Sequence, residues 1–384
     1  MNKINFSRLQ NARIYNGITI AELSKKLGIS KQAFSKYEAN DNIPLEKVFQ
    51  IAKILNFPIE YFFQSENKYN LEVKSTYFRS LLTTKKKCRN EQIVKMQYLS
   101  IIYSILNEYV EFPSLNIPDD LPLDITPEEA ANELRKHWNL GNKPINNIIQ
   151  IAEENGIIVT KFKTSTDNID AFSTLINLEN KGLYLVALNK NKNSACRIHF
   201  DVAHELGHIL LDEWNEDIET LDREEFKNRE KVANRFAAAF LLPKEEFIKD
   251  ASLYPSNLDY YTELKKKWKV SIASMVYRAR ELNIISQYQY QSLFKKMNYR
   301  DILKKEPLDD ILKTSEPSLL NEAIDILLDN KVFTKQELLD EFKEHGFFIG
   351  RENIEDLLNL PNNKLLPENE DNRKNIVSLK NKQI

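Results

Sequence analysis

Two histidines and a glutamate in this chain stand at a spacing that suits a metal ion: His204, Glu205 and His208, within the run Arg-Ile-His-Phe-Asp-Val-Ala-His-Glu-Leu-Gly-His-Ile-Leu-Leu at residues 197–211. On a helix, residues four apart project from one face, so His204 and His208 are placed to hold a single tetrahedral ion. Glu205 is turned roughly 100° from His204 at helical pitch, so it flanks the ion rather than competing for it. There it can accept a proton from a water that the metal acidifies. The opposite face carries Val202, Leu206, Ile209 and Leu210, an apolar stripe for a core. Gly207 is a poor helix residue and implies close approach of another element.

Such a site needs a third protein ligand and one position left for water. The residues after His208 are Ile-Leu-Leu-Asp-Glu-Trp, which excludes the three-histidine arrangement. A carboxylate from a following helix is the next choice. Glu230 opens a helical run that Pro243 stops, and Asn234, one turn on, is placed to support it. Asp212, Glu213, Asp217, Glu224 and Glu225 are rivals, and the pattern does not choose among them. His199 and Tyr184 are unranked candidates for stabilising the oxyanion of a tetrahedral intermediate. Cys196 reads as a small buried residue rather than a ligand.

The elements that must position these residues are mostly helical, since glycine is scarce and apolar residues recur at three- and four-residue spacing. Three short β-branched or aromatic segments, 156–162, 171–177 and 182–188, read as strands. They give an α+β core in a mainly α chain. If 182–188 is an edge strand, it can pair with an extended peptide. Polar residues 64–70 and the three prolines within 111–122 mark breaks. The tail after Pro361 is rich in Asn, Lys and Glu and is expected to fray.

The first sixty residues read as short helices in quick succession. Thr19 and Glu22 form a capping box, Gly28 suits a left-handed turn, and Ser30 caps the next helix. That helix turns Ala33, Phe34 and Tyr37 inward and leaves Lys31, Gln32, Ser35 and Lys36 on the other side. Two helices joined by such a turn make a helix-turn-helix, and those four side chains suit the major groove and its phosphates. Residues 1–100 hold 17 Lys and Arg against 8 Asp and Glu, a net of +9 within a chain of net charge −2, leaving −11 for the rest. An anionic partner at one end is implied. The basic stretches 77–80 and 85–89 serve equally well as phosphate contacts or as a solvated helix start.

Residues 19–63 resemble the lambda-repressor-like, or XRE-type, helix-turn-helix family. The carrying residues are Ser35-Lys36-Tyr37-Glu38 and the pattern Pro44, Leu45, Ile51, Ala52, Leu55; Ala39 and Asn40 stand where that family often has Asn-Gly. Roughly residues 130–295 resemble the ImmA/IrrE family of zinc metallo-endopeptidases. That resemblance rests on Ala187-Leu188-Asn189, on Arg197 with Phe200 and Ala203-His204-Glu205-Leu206-Gly207-His208, and on Glu230 with Ala233, Asn234, Phe236, Ala237, Leu242 and Pro243. It implies Glu230 as third zinc ligand in a thermolysin-like site, with one Zn²⁺ per chain. Asp212 and Asp201 depart from the family, which commonly shows His and Thr there.

The resemblances imply a five-helix helix-turn-helix domain at 1–66, a basic helical linker at 67–125, a zincin-like metallopeptidase domain with a three-stranded sheet at 126–295, and a helical region of unknown role at 296–384. They imply a regulator that binds double-stranded DNA, as a monomer or homodimer. It would cleave a repressor or other regulatory protein in a mobile-element or stress-response circuit. The alternative is a non-proteolytic XRE-type regulator or antitoxin-like protein whose zinc is structural or sensory. Two widely separated cysteines, no apolar run of about 20 residues and no signal sequence point to the cytoplasm and away from the membrane.

Overall fold

The computed structural model describes residues 4–39, 43–64, 71–78, 85–163, 170–178, 181–191, 194–212, 214 and 221–367. Asn40, Arg79, Ser80, Glu213, Asp217, the polar stretch 65–70 and the tail beyond 367 lie outside them. Two compact units are present: Met1–Asn70 with Tyr98–Glu111 and Leu320–Ile384, and Leu71–Gln97 with Phe112–Leu319. Among the described residues no helix is long and apolar enough to cross a membrane.

The first unit opens with five short helices: Phe6–Tyr15, Ile20–Lys26, Lys31–Glu38, Leu45–Leu55 and a 3₁₀ turn at Ile59–Phe63. Local chemistry sets their ends. Thr19 Oγ1 accepts the Glu22 amide at 3.1 Å while the Glu22 carboxylate accepts the Thr19 amide at 2.6 Å. Gly28 turns the chain at φ +65°, and Ser30 Oγ accepts the Ala33 amide. Phe34 is buried beneath the third helix, and Lys31, Gln32, Ser35 and Lys36 are all exposed above it. Arg13 grips the Glu38 carboxylate through Nε at 2.6 Å and Nη2 at 2.9 Å, tying the end of that helix to the first. The bidentate pair is well shielded, so its geometry is held firmly.

Residues from the far end of the chain complete this unit. Tyr98 stacks on Tyr15 at 5.5 Å, meets Phe347 edge-on at 5.6 Å and shares a hydroxyl hydrogen bond with Tyr61. Asn353 Nδ2 donates to the Asn56 carbonyl, and Asn56 Nδ2 donates to Glu352, both at 3.1 Å. These contacts bind the helix Arg351–Leu357 to the C-cap of the fourth helix, where Asn56 takes a left-handed φ of 54°.

The second unit is built on a four-stranded sheet of order β1-β3-β4-β2, with β1 at Leu71–Phe78, β2 at Ile158–Phe162, β3 at Ala171–Leu178 and β4 at Lys181–Asn189. β2 runs parallel to β4, and β3 pairs antiparallel with both β4 and β1. The three strands read from the sequence are all present. β1 is the addition, and it corrects the helical reading of residues 67–125 at this point. Leu-Glu-Val-Lys-Ser-Thr-Tyr-Phe holds β-branched and aromatic residues without glycine or proline, and the bare edge of β3 supplies the pairing that a lone strand lacks. β4 lies inside the sheet between β3 and β2, so the segment 182–188 is not an edge and cannot take a peptide strand.

Helix Ala195–Leu211, which carries the His-Glu-x-x-His run, packs against β3 and β4, and helix Arg223–Leu241, which carries Glu230, packs against that helix. Val202, Leu206 and Ile209 of the first bury into a core shared with Phe236, Phe240 and Trp268. Gly207 is the point of closest approach. A Cβ there would stand 3.1 Å from Ala233 Cα and 3.1 Å from Phe236 Cδ1, so any larger residue would push the helices or the Phe236 ring apart. Arg135, on the helix Pro127–His137, is buried and donates to the carbonyls of Gly141, Lys143 and Phe240, which anchors the far end of the Glu230 helix.

Candidate metal centre

Helical pitch brings His204 and His208 onto one face, and the Gly207 contact brings Glu230 opposite them. The two Nε2 atoms lie 3.0 Å apart; Glu230 Oε2 is 3.5 Å from His204 Nε2, and Oε1 is 3.3 Å from His208 Nε2. These are the His, Cys, Asp and Glu residues that converge as a metal-binding group among the described residues. A zinc ion with bonds of about 2.0–2.2 Å to N and O spans a triangle of such edges. The donor set, two imidazoles and a carboxylate, suits Zn²⁺ and leaves one position open.

The surroundings prepare the ligands. The Asp212 carboxylate bonds to His208 Nδ1, which holds the proton on that nitrogen and turns the Nε2 lone pair toward the centre. Burial opposes charge on His208, but its bonds to Asp212 and Glu230 outweigh this and raise its pKa to about 10, so an ion bound at Nε2 would displace a proton there. Burial likewise opposes ionisation of Glu230, and contact with both imidazoles overcomes it, holding the carboxyl at about 2. Asp212→Asn is expected to weaken zinc affinity by roughly 10–100-fold while leaving the ligands in place. A chelator-competition titration measures this, and an unchanged affinity would show the bond to be incidental.

Glu205 is fully buried, and burial above all lifts its carboxyl to about 7, against the pull of His208 and of Ser173. Ser173 on β3 donates its hydroxyl to Glu205 Oε2 at 2.5 Å. Oε1 is buried without a hydrogen-bond partner among the described residues. One oxygen is thus fixed and the other is left to act, the arrangement a proton acceptor needs.

The other sequence candidates are not all drawn to this point. Asn234 lies one turn beyond Glu230 and donates Nδ2 to the Glu230 carbonyl at 2.7 Å, so it steadies the ligand's helix. Asn234, Lys231 and Phe200, with Ala238, Tyr277 and Phe294, line a cavity of about 580 Å³. Phe200 lies one helical turn before His204, and Asn234 one turn after Glu230. Tyr184 on β4 is half-buried and packs edge-on against Trp214 at 5.2 Å, whose indole donates to the His208 carbonyl. Cys196 is buried, which pushes its thiol up to about 12. Glu224 and Glu225 lie exposed in the first turn of the Glu230 helix, outside the metal group.

His199 is directed to a different partner. It is buried with Nε2 3.0 Å from Thr314 Oγ1, and burial first, then the charge of Lys269, lowers its pKa to about 3 from an ordinary 6.5. Above 6.5 it is neutral folded or unfolded and contributes no pH dependence. As pH falls from 6.5 toward 3 only the unfolded chain takes the proton, so stability declines by up to about 1.4 kcal/mol per pH unit. Urea unfolding of His199→Gln should show a shallower decline over that window than the parent chain. Identical slopes would assign the acid sensitivity elsewhere.

With this geometry in place, comparison with known families is informative. Residues 152–280 match the IrrE N-terminal-like domain, a peptidase family, and residues 9–62 match a helix-turn-helix domain. The chain carries both domains. Comparison with curated proteins gives no match. The IrrE-like domain contains all three converging ligands and Glu205. The helix-turn-helix domain contains the exposed Lys31, Gln32, Ser35 and Lys36.

Several contributors escaped sequence reading. Ser173 is an ordinary strand residue until β3 is laid over Glu205. Residues after 296 offered no chemistry, yet Glu306 accepts the amides of Ile272 and Ala273, and Lys265 bonds Glu306 and Asp309 at 2.7 Å each. Asp309 in turn accepts from Ser194, the residue at the start of the metal helix. No local signal marks these roles, because each depends on a partner more than 30 residues away.

Proposed function

We propose that this chain is a DNA-binding transcriptional regulator with zinc-dependent endopeptidase activity, acting on a repressor or other regulatory protein in a mobile-element or stress-response circuit. The observation that carries it is the convergence of His204, His208 and Glu230 beside a buried, half-engaged Glu205. A structural zinc site has no use for a base beside the metal. His204, His208 and Glu230 would hold one Zn²⁺, which when bound supplies Lewis-acid polarisation of the scissile carbonyl and acidifies water. Glu205 Oε1 takes the proton of the attacking water and passes it to the leaving amine, while Ser173 keeps the carboxylate from rotating. The cavity beyond Phe200 and Asn234 receives a side chain of the bound peptide. Tyr184 is retained as a candidate for oxyanion stabilisation.

Lys31, Gln32, Ser35 and Lys36 contact DNA in this reading, on a helix whose buried Phe34 and Arg13–Glu38 pair keep it rigid. Gln32→Ala is expected to cost about 1–3 kcal/mol at one base position, and Lys36→Ala to weaken binding uniformly and flatten the salt dependence. Selection of a binding sequence from random duplexes, followed by titration at two salt concentrations, measures both. The reading places the protein in the cytoplasm, where the buried Cys88 and Cys196 stay reduced. The decisive test of the whole is a comparison of protein fragments in host cells carrying the parent chain or Glu205→Gln. A regulator cut only in the parent establishes the activity; identical fragment patterns reject it.

A further inference from the structure

We propose that the outer edge of β3 is a seat for an extended peptide, and that this chain's own residues 71–78 occupy it, so that a protein substrate must displace β1 to be cut. The inference deepens the peptidase reading and rests on it.

β3 is the strand that touches the base, through Ser173 and Glu205 at 2.5 Å. Its inner edge is taken by β4, and its outer edge is the one β1 covers. β1 pairs along its whole length, from Leu71 opposite Leu178 to Phe78 opposite Phe172, and places Tyr77 opposite Ser173. The backbone of 76–78 therefore runs one strand spacing, about 4.8 Å, from the strand that holds the base. A peptide lying there is antiparallel to β3 and alongside the catalytic residue.

The origin of β1 argues that it is an occupant. The other three strands arise from one stretch, 158–189, inside the matched peptidase-family region of 152–280. β1 comes from the sequence just after the helix-turn-helix match, which ends at 62. Without it, that three-stranded sheet would present β3 as a bare edge beside Glu205. Its hold is also of a replaceable kind. Main-chain pairing to an edge is largely indifferent to sequence. The register shifts between Val73 and Ser75, Val73 and Thr76 are only partly buried, and Thr76 meets Thr174 through a hydroxyl contact of 3.2 Å. Another extended segment without proline can form the same ladder.

Locking and opening the edge in the full-length, zinc-loaded chain test this. Thr76→Cys/Thr174→Cys places two thiols at facing positions where a disulfide can close; the native Cys88 and Cys196 are buried. Cleavage of fluorescein-labelled casein by the oxidised form should fall roughly tenfold or more below the same protein reduced. Cleavage at equal, measurable rates by the two forms overturns the proposal. In a Glu205→Gln background, Thr76→Pro/Tyr77→Pro removes at least one inward amide, since neighbouring residues in a strand point to opposite sides. A labelled peptide of sequence Leu-Glu-Val-Lys-Ser-Thr-Tyr-Phe should then bind about tenfold or more tighter than to Glu205→Gln alone, read by fluorescence anisotropy. Equal binding, or none to either, also overturns it. Should circular dichroism show the proline variant unfolded, the disulfide arm decides. If no form cuts casein yet the peptide binds only the opened edge, the peptidase reading fails and the occupied seat stands.

Discussion

Replacing Glu205 by glutamine should lower peptide cleavage about a thousandfold while zinc stays bound at one ion per chain. The glutamine amide has the carboxylate's shape and still accepts the Ser173 hydroxyl now 2.5 Å away, so position is preserved and basicity alone is lost. The residue is chosen for the task by its setting. Burial lifts the carboxyl to about 7, which makes it a far better proton acceptor near neutrality than a solvated glutamate. Zinc content by mass spectrometry and cleavage of the identified substrate are the two readings. A variant that keeps zinc and cuts at the parental rate would remove Glu205 from the reaction and favour a structural or sensory metal.

Removing Glu230 should have the opposite signature. Glu230→Ala leaves two histidines 3.0 Å apart with no carboxylate to balance the ion's charge, so zinc affinity should fall on the order of a thousandfold. Cleavage is lost with the metal, and the rise in melting temperature on adding zinc disappears. Glu224→Ala is the matched control: it lies on the same helix, in its exposed first turn, and should change neither reading. If Glu224→Ala lost zinc and Glu230→Ala kept it, the ligand assignment would be reversed. The two glutamates are six residues apart on one helix, and what separates their fates is which turn the neighbouring helix meets.

That contrast marks the general limit of reading the site from residues. His204, Glu205 and His208 are legible because helical pitch alone relates them, whatever the rest of the chain does. The head is legible for the same reason: Thr19, Glu22, Gly28 and Ser30 act on backbone groups within three residues of themselves. Glu230 stood among five rivals until resemblance singled it out, since nothing local distinguishes a ligand from a solvated carboxylate. Asp212 was read as a rival ligand and as a departure from family pattern; in the fold it orients His208.

Strand order was the least legible feature. A strand's sequence shows that it will pair, and not with which neighbour, because pairing energy comes mainly from main-chain groups common to all residues. So the sequence leaves open whether 182–188 is an edge, and it is central, while 71–78 falls within the helical linker by sequence and is the strand beside β3. The grouping of the C-terminal helices with the head is of the same kind. Asn353 reaches Asn56 across 297 residues, and neither side chain announces the other.

From sequence alone came the short-range chemistry: two metal ligands and a base on one helix, a capped helix-turn-helix with four exposed polar side chains, three strands, and a largely helical chain. Those features depend on contacts within a turn or two, where covalent geometry dictates distance. Only the tertiary structure showed which acidic side chain stands against the two histidines, which hydroxyl meets Glu205, and which strand lies at the edge beside it. Each of those is a choice among chemically equivalent groups, made by how closely two helices approach at Gly207 and by which segment reaches β3.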